Sequence, residues 1–123
     1  MKKIILDTNF ILTCVKQRID FFDELKNWGA KIIIPKEVIE EIKRIENSKK
    51  KAHVRRNASL SLLLLERNRE FFEQINLENK NVDEGLIELG KNEENIIATL
   101  DREIKKGTKR NLIIKRKKML EIV

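Results

Sequence analysis

The sequence predicts an α/β fold built on a mainly parallel sheet. Four short runs are rich in Ile and Leu, and such continuous apolar runs are typical of strands that are covered on both faces. Amphipathic stretches separate these runs, and the alternation of strands with helices indicates the α/β class. The chain has 123 residues, of which 41% are hydrophobic, so it is long enough to bury one core as a single domain spanning residues 1–123.

Residues that favour helix or strand boundaries define the predicted elements in order. The strands are predicted at residues 3–6, 31–34, 95–100 and 111–114. The helices are predicted at residues 9–17, 20–28, 36–47, 50–67, 83–91 and 101–107. Asp20 is a favoured N-cap for the second helix, and Pro35 suits the start of the third. Residues 71–77 fit either a strand or the end of a helix, and a short strand is favoured.

One predicted helix is unusually apolar. Residues 59–66, SLSLLLLE, present apolar side chains on every side if they are helical, unlike a surface helix with one buried stripe. We therefore expect this stretch to be deeply buried or to lie at a subunit interface. For so small a domain the second option predicts a homodimer.

The charge of the chain is unevenly distributed. The formal net charge is +7, but the segments 43–56 and 102–118 together carry +14, which leaves −7 on the remainder. Lys and Arg gain affinity for phosphates by displacing counterions, so the two basic segments indicate binding to RNA or another polyanion. The alternative is a solvated lysine-rich surface. The candidate RNA contacts are Lys49, Lys50, Lys51, Arg55, Arg56, Lys105 and Lys106.

Several classes of protein are excluded by residues that the chain lacks. Cys14 is the only cysteine and His53 the only histidine, which excludes zinc fingers, thioredoxin-type sites and ribonucleases that use two histidines. No phosphate-binding glycine-rich motif occurs. We expect Cys14 in the core and His53 on the basic surface. Asp7 and Asn9 interrupt the apolar start of the chain, so we expect no signal peptide or membrane association and a cytoplasmic location.

Two aspartates follow predicted strands. Asp7 ends the run IILD and Asp101 ends IIATLD, and the carboxyl ends of parallel strands lie at one edge of a sheet. Open α/β sheets bind ligands at that edge. Each aspartate, taken alone, is equally suited to be a helix N-cap.

Helical periodicity selects two further carboxylates. In the third predicted helix, Glu41 borders the apolar face, whereas Glu37 and Glu40 point away from it, at about 100° per residue. In the fifth, Asp83 projects towards the apolar side and Glu84 towards solvent. A carboxylate directed towards the core needs a compensating partner, and several of them at one point repel each other unless cations are bound.

A set of four carboxylates without histidine or thiolate provides hard oxygen ligands. Such ligands suit Mg²⁺ or Mn²⁺, and these ions activate water for attack on phosphodiesters. This chemistry agrees with a basic domain that binds nucleic acid.

The order of these motifs resembles that of a known family. The motifs IILDTNF, PKEVIEEI, VDEGLIEL and ATLDREI, followed by a basic stretch and NLIIK, are similar in order and spacing to those of PIN domains. PIN domains are metal-dependent ribonucleases with a three-layer α/β/α fold. The resemblance extends from residue 3 to about residue 116. No motif is specific alone, but the ordered set of four is.

The resemblance implies roles for individual residues. Asp7, Glu41, Asp83 and Asp101 match the four acidic positions of the family, which hold Mg²⁺ or Mn²⁺. Asn9 and Thr99 match supporting polar positions, and Glu103 matches a further acidic position. The family commonly has asparagine where this chain has Leu100, so one hydrogen bond that would orient the metal ligands is lost.

The resemblance also implies a reaction and three alternative roles. The implied reaction is hydrolysis of single-stranded RNA to a 5′-phosphate and a 3′-hydroxyl. The stretches ATLDREIKK and VDEGLIEL are most similar to the archaeal and eukaryotic branch that processes small-subunit ribosomal RNA. The alternatives are a VapC-like toxin, which would have an antitoxin partner, and a non-catalytic RNA-binding module.

Overall fold

A sheet with helices on both faces forms the centre of the protein. The computed structural model describes residues 2–79 and 81–123, and for Lys117 the main chain only. The strands are β1 (Lys3–Leu6), β2 (Lys31–Pro35), β3 (Phe72–Ile75), β4 (Asn95–Ala98), β5 (Asn111–Lys115) and β6 (Met119–Ile122). The helices are α1 (Thr8–Lys16), α2 (Phe21–Asn27), α3 (Lys36–Glu46), α4 (Ala52–Arg67), α5 (Val82–Gly90) and α6 (Arg102–Gly107).

The sheet has the strand order β3-β2-β1-β4-β5-β6. The first five strands are parallel and β6 pairs antiparallel with β5, so the predicted α/β fold with a mainly parallel sheet is confirmed. The ambiguous segment contains β3, as favoured above. Strand β6 was not predicted from the sequence, because it follows four consecutive cations and a turn in which Lys118 has a left-handed φ of 61°. Glycine or asparagine usually signals such a turn.

Alternating side chains of the strands build two cores, one on each face of the sheet. Ile4 and Leu6 of β1 belong to a large cluster that α1, α2, α3 and α4 cover, whereas Ile5 belongs to a smaller cluster. The smaller cluster also contains Leu86 of α5 and Ile104 of α6. This division produces the three layers, and the burial of apolar side chains in both clusters drives folding.

Helix α5 is held closely at both ends. A Cβ atom at Gly90 would lie 2.2 Å from Cγ2 of Thr108, so only glycine allows this approach. At the other end, a Cβ atom at Gly85 would lie 3.1 Å from Cδ1 of Leu77. The last turn of α5 is therefore fixed against the segment after α6, and its first turn against the segment after β3.

Helix α4 is less buried than its composition predicts. Its buried residues are Ala58, Ser61 and Leu65, whereas Leu60 and Leu63 are 51% and 48% exposed. The expectation that residues 59–66 are deeply buried is therefore wrong for the single chain. The Ser61 hydroxyl donates a hydrogen bond to the carbonyl of Asn57, which allows a polar residue on the buried side of α4. Association through the exposed leucines stays a prediction.

Cys14 and His53 lie where they were expected, in the core and on the surface. Cys14 is fully buried, and burial raises the pKa of its thiol to about 12, so it is an inert core residue. His53 is exposed near the start of α4. No helix in the described part of the chain combines the length and the apolar character that a membrane crossing requires.

The strand order reverses between β1 and β4. From β1 the chain continues to β2 on one side of the sheet, while β4 pairs with the other side of β1 and leads on to β5. Such a reversal leaves a crevice beyond the carboxyl ends of the two strands, and α/β proteins bind ligands there. Asp7 follows β1 and Thr99 follows β4, so both residues lie at this crevice.

Candidate active site

Asp7 is the most enclosed carboxylate of the predicted set. Its backbone N–H donates to the carbonyl of Ala98 at 2.9 Å, which continues the β1–β4 pairing beyond the end of β1. Its Oδ1 accepts from the Thr8 N–H at 2.7 Å, and its Oδ2 accepts from the Thr99 hydroxyl at 2.7 Å. Asp7 is thus both the N-cap of α1 and a member of a site, so the two interpretations of this residue are compatible.

The environment of Asp7 favours its protonated form. Burial raises the pKa of Asp7 to about 6, although hydrogen bonds from Thr99 and Thr8 lower it. The charges of Glu41 and Asp83 add to the increase in this pKa. The carboxylate is only 5% exposed, so few waters can compensate its charge.

Thr99 joins the two strand-end aspartates. Its buried hydroxyl donates to Asp7 and accepts from the Asp101 N–H at 3.1 Å. Oδ1 of Asp101 accepts from the backbone N–H groups of Glu103 and Ile104, at 2.8 and 3.3 Å, and so caps α6. The Asp101 side chain therefore uses one oxygen as a cap, which leaves its second oxygen for another partner.

Asn9 fixes the loop between β4 and α6. Its Oδ1 accepts from the Leu100 N–H at 3.2 Å, across the crevice from α1. The Leu100 side chain packs against the large apolar cluster, so this residue enters the network only through its main chain. The departure from the family pattern at Leu100 thus leaves the contact between α1 and this loop intact.

Glu41 and Asp83 approach from two helices. Glu41 on α3 is partly buried, and its Oε1 accepts from the Thr8 hydroxyl at 2.8 Å. Asp83, in the first turn of α5, is exposed. Partial burial raises the pKa of Asp83, and the charge of Asp101 raises it further. Glu40, by contrast, is exposed on α3, as the helical periodicity predicted.

The four predicted carboxylates therefore influence one another electrostatically. Asp7 is affected by Glu41 and Asp83, and Asp83 is affected by Asp101. Within the described ranges, no three acidic, histidine or cysteine side chains already surround one point as a metal site would require. The donor set nevertheless fits a hard divalent cation, because it consists of carboxylate oxygens whose mutual repulsion a cation would relieve.

Glu103 is placed differently from the other acidic residues. Its side chain is exposed, and its Oε1 lies 3.6 Å from Nζ of Lys106, one turn along α6. The structure thus brings its backbone N–H, but not its carboxylate, into contact with Asp101.

Glu37, which helical periodicity directs away from the apolar face, has a structural role beside the site. Its Oε1 accepts from the Leu77 N–H at 3.1 Å. Leu77 in turn packs against Gly85 in α5, the helix that carries Asp83. Glu37 therefore connects the start of α3 to the start of α5. Helical periodicity could not reveal this contact, because the partner lies 40 residues away and is a main-chain group.

The predicted RNA-contacting residues lie in two segments of the chain. Lys49, Lys50, Lys51, Arg55 and Arg56 are exposed in the loop after α3 and the first turns of α4. Lys105 and Lys106 lie on α6, directly after Asp101. Arg55 has an additional role, because its Nε donates to the carbonyl of Lys50 at 3.0 Å.

Comparison with known proteins identifies the fold family. A model of the family described as "PIN like domain" matches residues 4–116, which is nearly the whole chain. The chain belongs to the PIN-like domain family. In this PIN-like domain Asp7, which the resemblance matched to an acidic position of the family, directly follows β1 at the strand-order reversal.

Individual relatives agree with this assignment. The PIN-like domain is 28% identical, over 131 aligned positions, to ribonuclease VapC4 of Methanocaldococcus jannaschii, covering 99% of this chain and 97% of the relative. Among solved structures, the PIN domain endonuclease Utp24 superimposes with a TM-score of 0.71 at 20% identity, covering 98% of this chain and 95% of the other. A domain of a functionally unknown protein from M. jannaschii gives a TM-score of 0.61 at 20% identity, covering 100% and 99%. The two structural matches support the fold.

Proposed function

We propose that this PIN-like domain is an endoribonuclease that hydrolyses single-stranded RNA with the help of Mg²⁺ or Mn²⁺. The observation that carries the proposal is the position of Asp7 where the strand order reverses: the Thr99 hydroxyl joins it to the main chain of Asp101, and the charges of Glu41 and Asp83 act on it. The similarity to VapC4, a ribonuclease of similar length, supports the same reaction. The products are a 5′-phosphate and a 3′-hydroxyl, as in the family.

The protein side chains would hold the cation and keep its ligands oriented. Asp7, Glu41, Asp83 and Asp101 would be the ligands, and a bound ion would lower the pKa of a water and neutralise charge on the phosphate. The Thr99 hydroxyl fixes the orientation of the Asp7 carboxylate, and the Thr8 hydroxyl does so for Glu41. With a pKa of about 6, Asp7 is mostly ionised at neutral pH and ready to bind a cation.

The experiment that tests this proposal is cleavage of a labelled single-stranded RNA with Mg²⁺, with Mn²⁺ and in excess EDTA. We expect cleavage with either metal and none in EDTA. Asp7→Asn should lower the rate by about 100-fold or more, because it removes one charged ligand. Asp20→Asn is the matched control: Asp20 caps α2 through a hydrogen bond from the Asp23 N–H at 3.1 Å, and asparagine caps equally well.

Two outcomes would contradict the proposal. Cleavage that persists in EDTA would exclude the metal-dependent mechanism, and cleavage by Asp7→Asn at the wild-type rate would exclude this site. RNA binding without cleavage under every metal condition would instead favour the non-catalytic module.

We propose ribosomal RNA processing as the cellular role. The stretches ATLDREIKK and VDEGLIEL, which surround Asp101 and Asp83, support this choice. The full-length similarity to VapC4 favours the second candidate, a toxin with a cognate antitoxin. Sedimentation with pre-ribosomal particles is the result expected for the first role, and co-purification with a small antitoxin encoded by a neighbouring gene is expected for the second.

A further inference from the structure

A cleft lies directly beside Glu41. It has a volume of about 240 Å³ and is lined by Glu41, Arg44, Ile45, Ser48 and Lys50. The first three of these occur at positions i, i+3 and i+4, which share one face of α3, and Ser48 follows the end of that helix. Lys43 is adjacent in sequence but points to the opposite side of α3, about 200° away from Glu41. Of the two neighbouring cations, Arg44 therefore lines the cleft and Lys43 does not.

The loop that closes this cleft is held by hydrogen bonds. The Ser48 hydroxyl donates to the carbonyl of Ile45 at 2.7 Å and accepts from the Lys50 N–H at 3.3 Å. The carbonyl of Lys50 accepts from Nε of Arg55 at 3.0 Å. The main chain of Lys50 is therefore held at both its N–H and its carbonyl, and Lys50, unlike Lys49 and Lys51, lines the cleft.

The two cations of the cleft have no anionic partner in the described residues. None of the ion pairs found there includes Arg44 or Lys50. Glu41 lies one turn before Arg44, yet its Oε1 accepts from the Thr8 hydroxyl instead. A planar guanidinium and an ammonium on two residues that line one open cleft are suited to bind a phosphate group.

We infer that Arg44 and Lys50 form a subsite for one RNA phosphate, next to the phosphodiester that is cut at the carboxylates. The inference rests on the proposed function, since Glu41 connects the two sites. Ser48 positions the loop but cannot donate to the phosphate, because its hydroxyl proton already binds the carbonyl of Ile45. The subsite would position the strand, so that the neighbouring phosphodiester lies at Asp7 and Glu41.

The first test measures RNA binding as a function of salt in EDTA, where no cleavage interferes. The probe is a short single-stranded RNA, and the variants are Arg44→Gln and Lys50→Gln, with Lys43→Gln as control. We expect each test variant to weaken binding about tenfold, because a charge-assisted hydrogen bond is lost. Each should also reduce the slope of log affinity against log salt by roughly 0.7, the value for one contact to a single strand. Lys43→Gln should keep the wild-type slope.

The second test locates the contact on the RNA. A neutral methylphosphonate replaces one phosphate at a time, and we expect one position, next to the cut, to weaken wild-type binding more than the others. Arg44→Gln should be insensitive at that same position only. Equal effects of Arg44→Gln and Lys43→Gln, or equal sensitivity of the two proteins at every position, would overturn the subsite.

The two proposals can fail separately. If wild-type protein binds RNA with the expected dependence on Arg44 but does not cleave it, the subsite is supported and the nuclease function is not. If cleavage is metal-dependent and Arg44→Gln matches the control, the function stands and the subsite is wrong.

Discussion

The two halves of the candidate site are built in different ways. Asp7 and Asp101 follow strands, and the buried hydroxyl of Thr99 joins them. Glu41 and Asp83 lie on helices, and Asp83 is exposed. In the first half each carboxylate also caps a helix, so the same contacts stabilise the fold and form the site. In the second half the carboxylates of Glu41 and Asp83 contribute little to the stability of the fold.

This difference predicts different responses to mutation. Changes in the strand-end half should affect both stability and activity, because its carboxylates cap helices and the hydrogen bonds of Asp7 are buried. Changes in the helical half should affect activity with little cost in stability, because its side chains are partly or fully solvated. The site thus combines one rigid pair of ligands with one pair that depends on where two helices are held.

The largest loss of activity without a loss of stability is expected from the helical half. Glu41→Gln keeps the hydrogen bond from the Thr8 hydroxyl but removes one negative charge, so metal-dependent cleavage should fall by about 100-fold. Its melting temperature without metal should not decrease, because repulsion with Asp7 is relieved. Initial rates with Mg²⁺ and a thermal melt in EDTA measure the two quantities.

Glu40→Gln is the matched control for this variant. Glu40 is exposed on the same helix, so its substitution should change stability by no more than about 0.5 kcal/mol and leave the rate unchanged. A larger loss of activity at Glu40 than at Glu41 would contradict both the orientation of α3 and the comparison of the two halves.

The next effect concerns the strand-end half and depends on pH. The pKa of Asp7 is about 6 in the folded chain, against 3.8 as its ordinary value, so the folded state holds this proton more tightly. The resulting stabilisation is complete below about pH 3.8 and is lost as the pH rises through about 6. It corresponds to about 3 kcal/mol.

Urea unfolding in EDTA between pH 4 and pH 7 measures this effect. The free energy of unfolding of the wild-type protein should decrease as the pH rises, because Asp7 loses its proton. Asp7→Asn has no carboxyl group at this position, so this contribution to the decrease should be absent. The free energy of unfolding of the variant, relative to that of the wild type, should therefore increase by about 3 kcal/mol as the pH rises across this range. A constant difference between the two proteins at all pH values would show that Asp7 does not titrate in this range.

The smallest effect tests the connection between the helices of the second half. Glu37→Ala leaves the Leu77 N–H without its acceptor, which should cost about 1 kcal/mol of stability. Cleavage should fall severalfold because Asp83 is less well positioned. Glu37→Gln retains the acceptor oxygen, so it should restore both quantities in the same urea and rate measurements. Equal losses in both variants would mean that the charge of Glu37, rather than its hydrogen bond, is what matters.

The sequence predicted the strand-end half more completely than its surroundings. Apolar runs that end in aspartate locate Asp7 and Asp101, because parallel strands bring their carboxyl ends to one edge. Helical periodicity distinguished Glu41 from Glu40, since both belong to one local helix. The contact of Glu37 with the Leu77 main chain was missed because it connects segments far apart in the sequence. The exposure of Leu60 and Leu63 depends on which neighbours pack against α4, which composition does not reveal.

The close contact of Gly90 with Thr108 fixes the C-terminal end of α5, which is the end far from the candidate active site. A small tilt of the helix about this contact would displace its N-terminal end. Asp83 is seven residues from Gly90, or about 10 Å along the helix axis. A tilt of about 10° at this contact would therefore move the Asp83 main chain by about 2 Å, and a displacement of about 1 Å can cost a hundredfold in rate. The close packing at Gly90 therefore acts together with the contact of Leu77 with Gly85 to set the position of the Asp83 carboxylate.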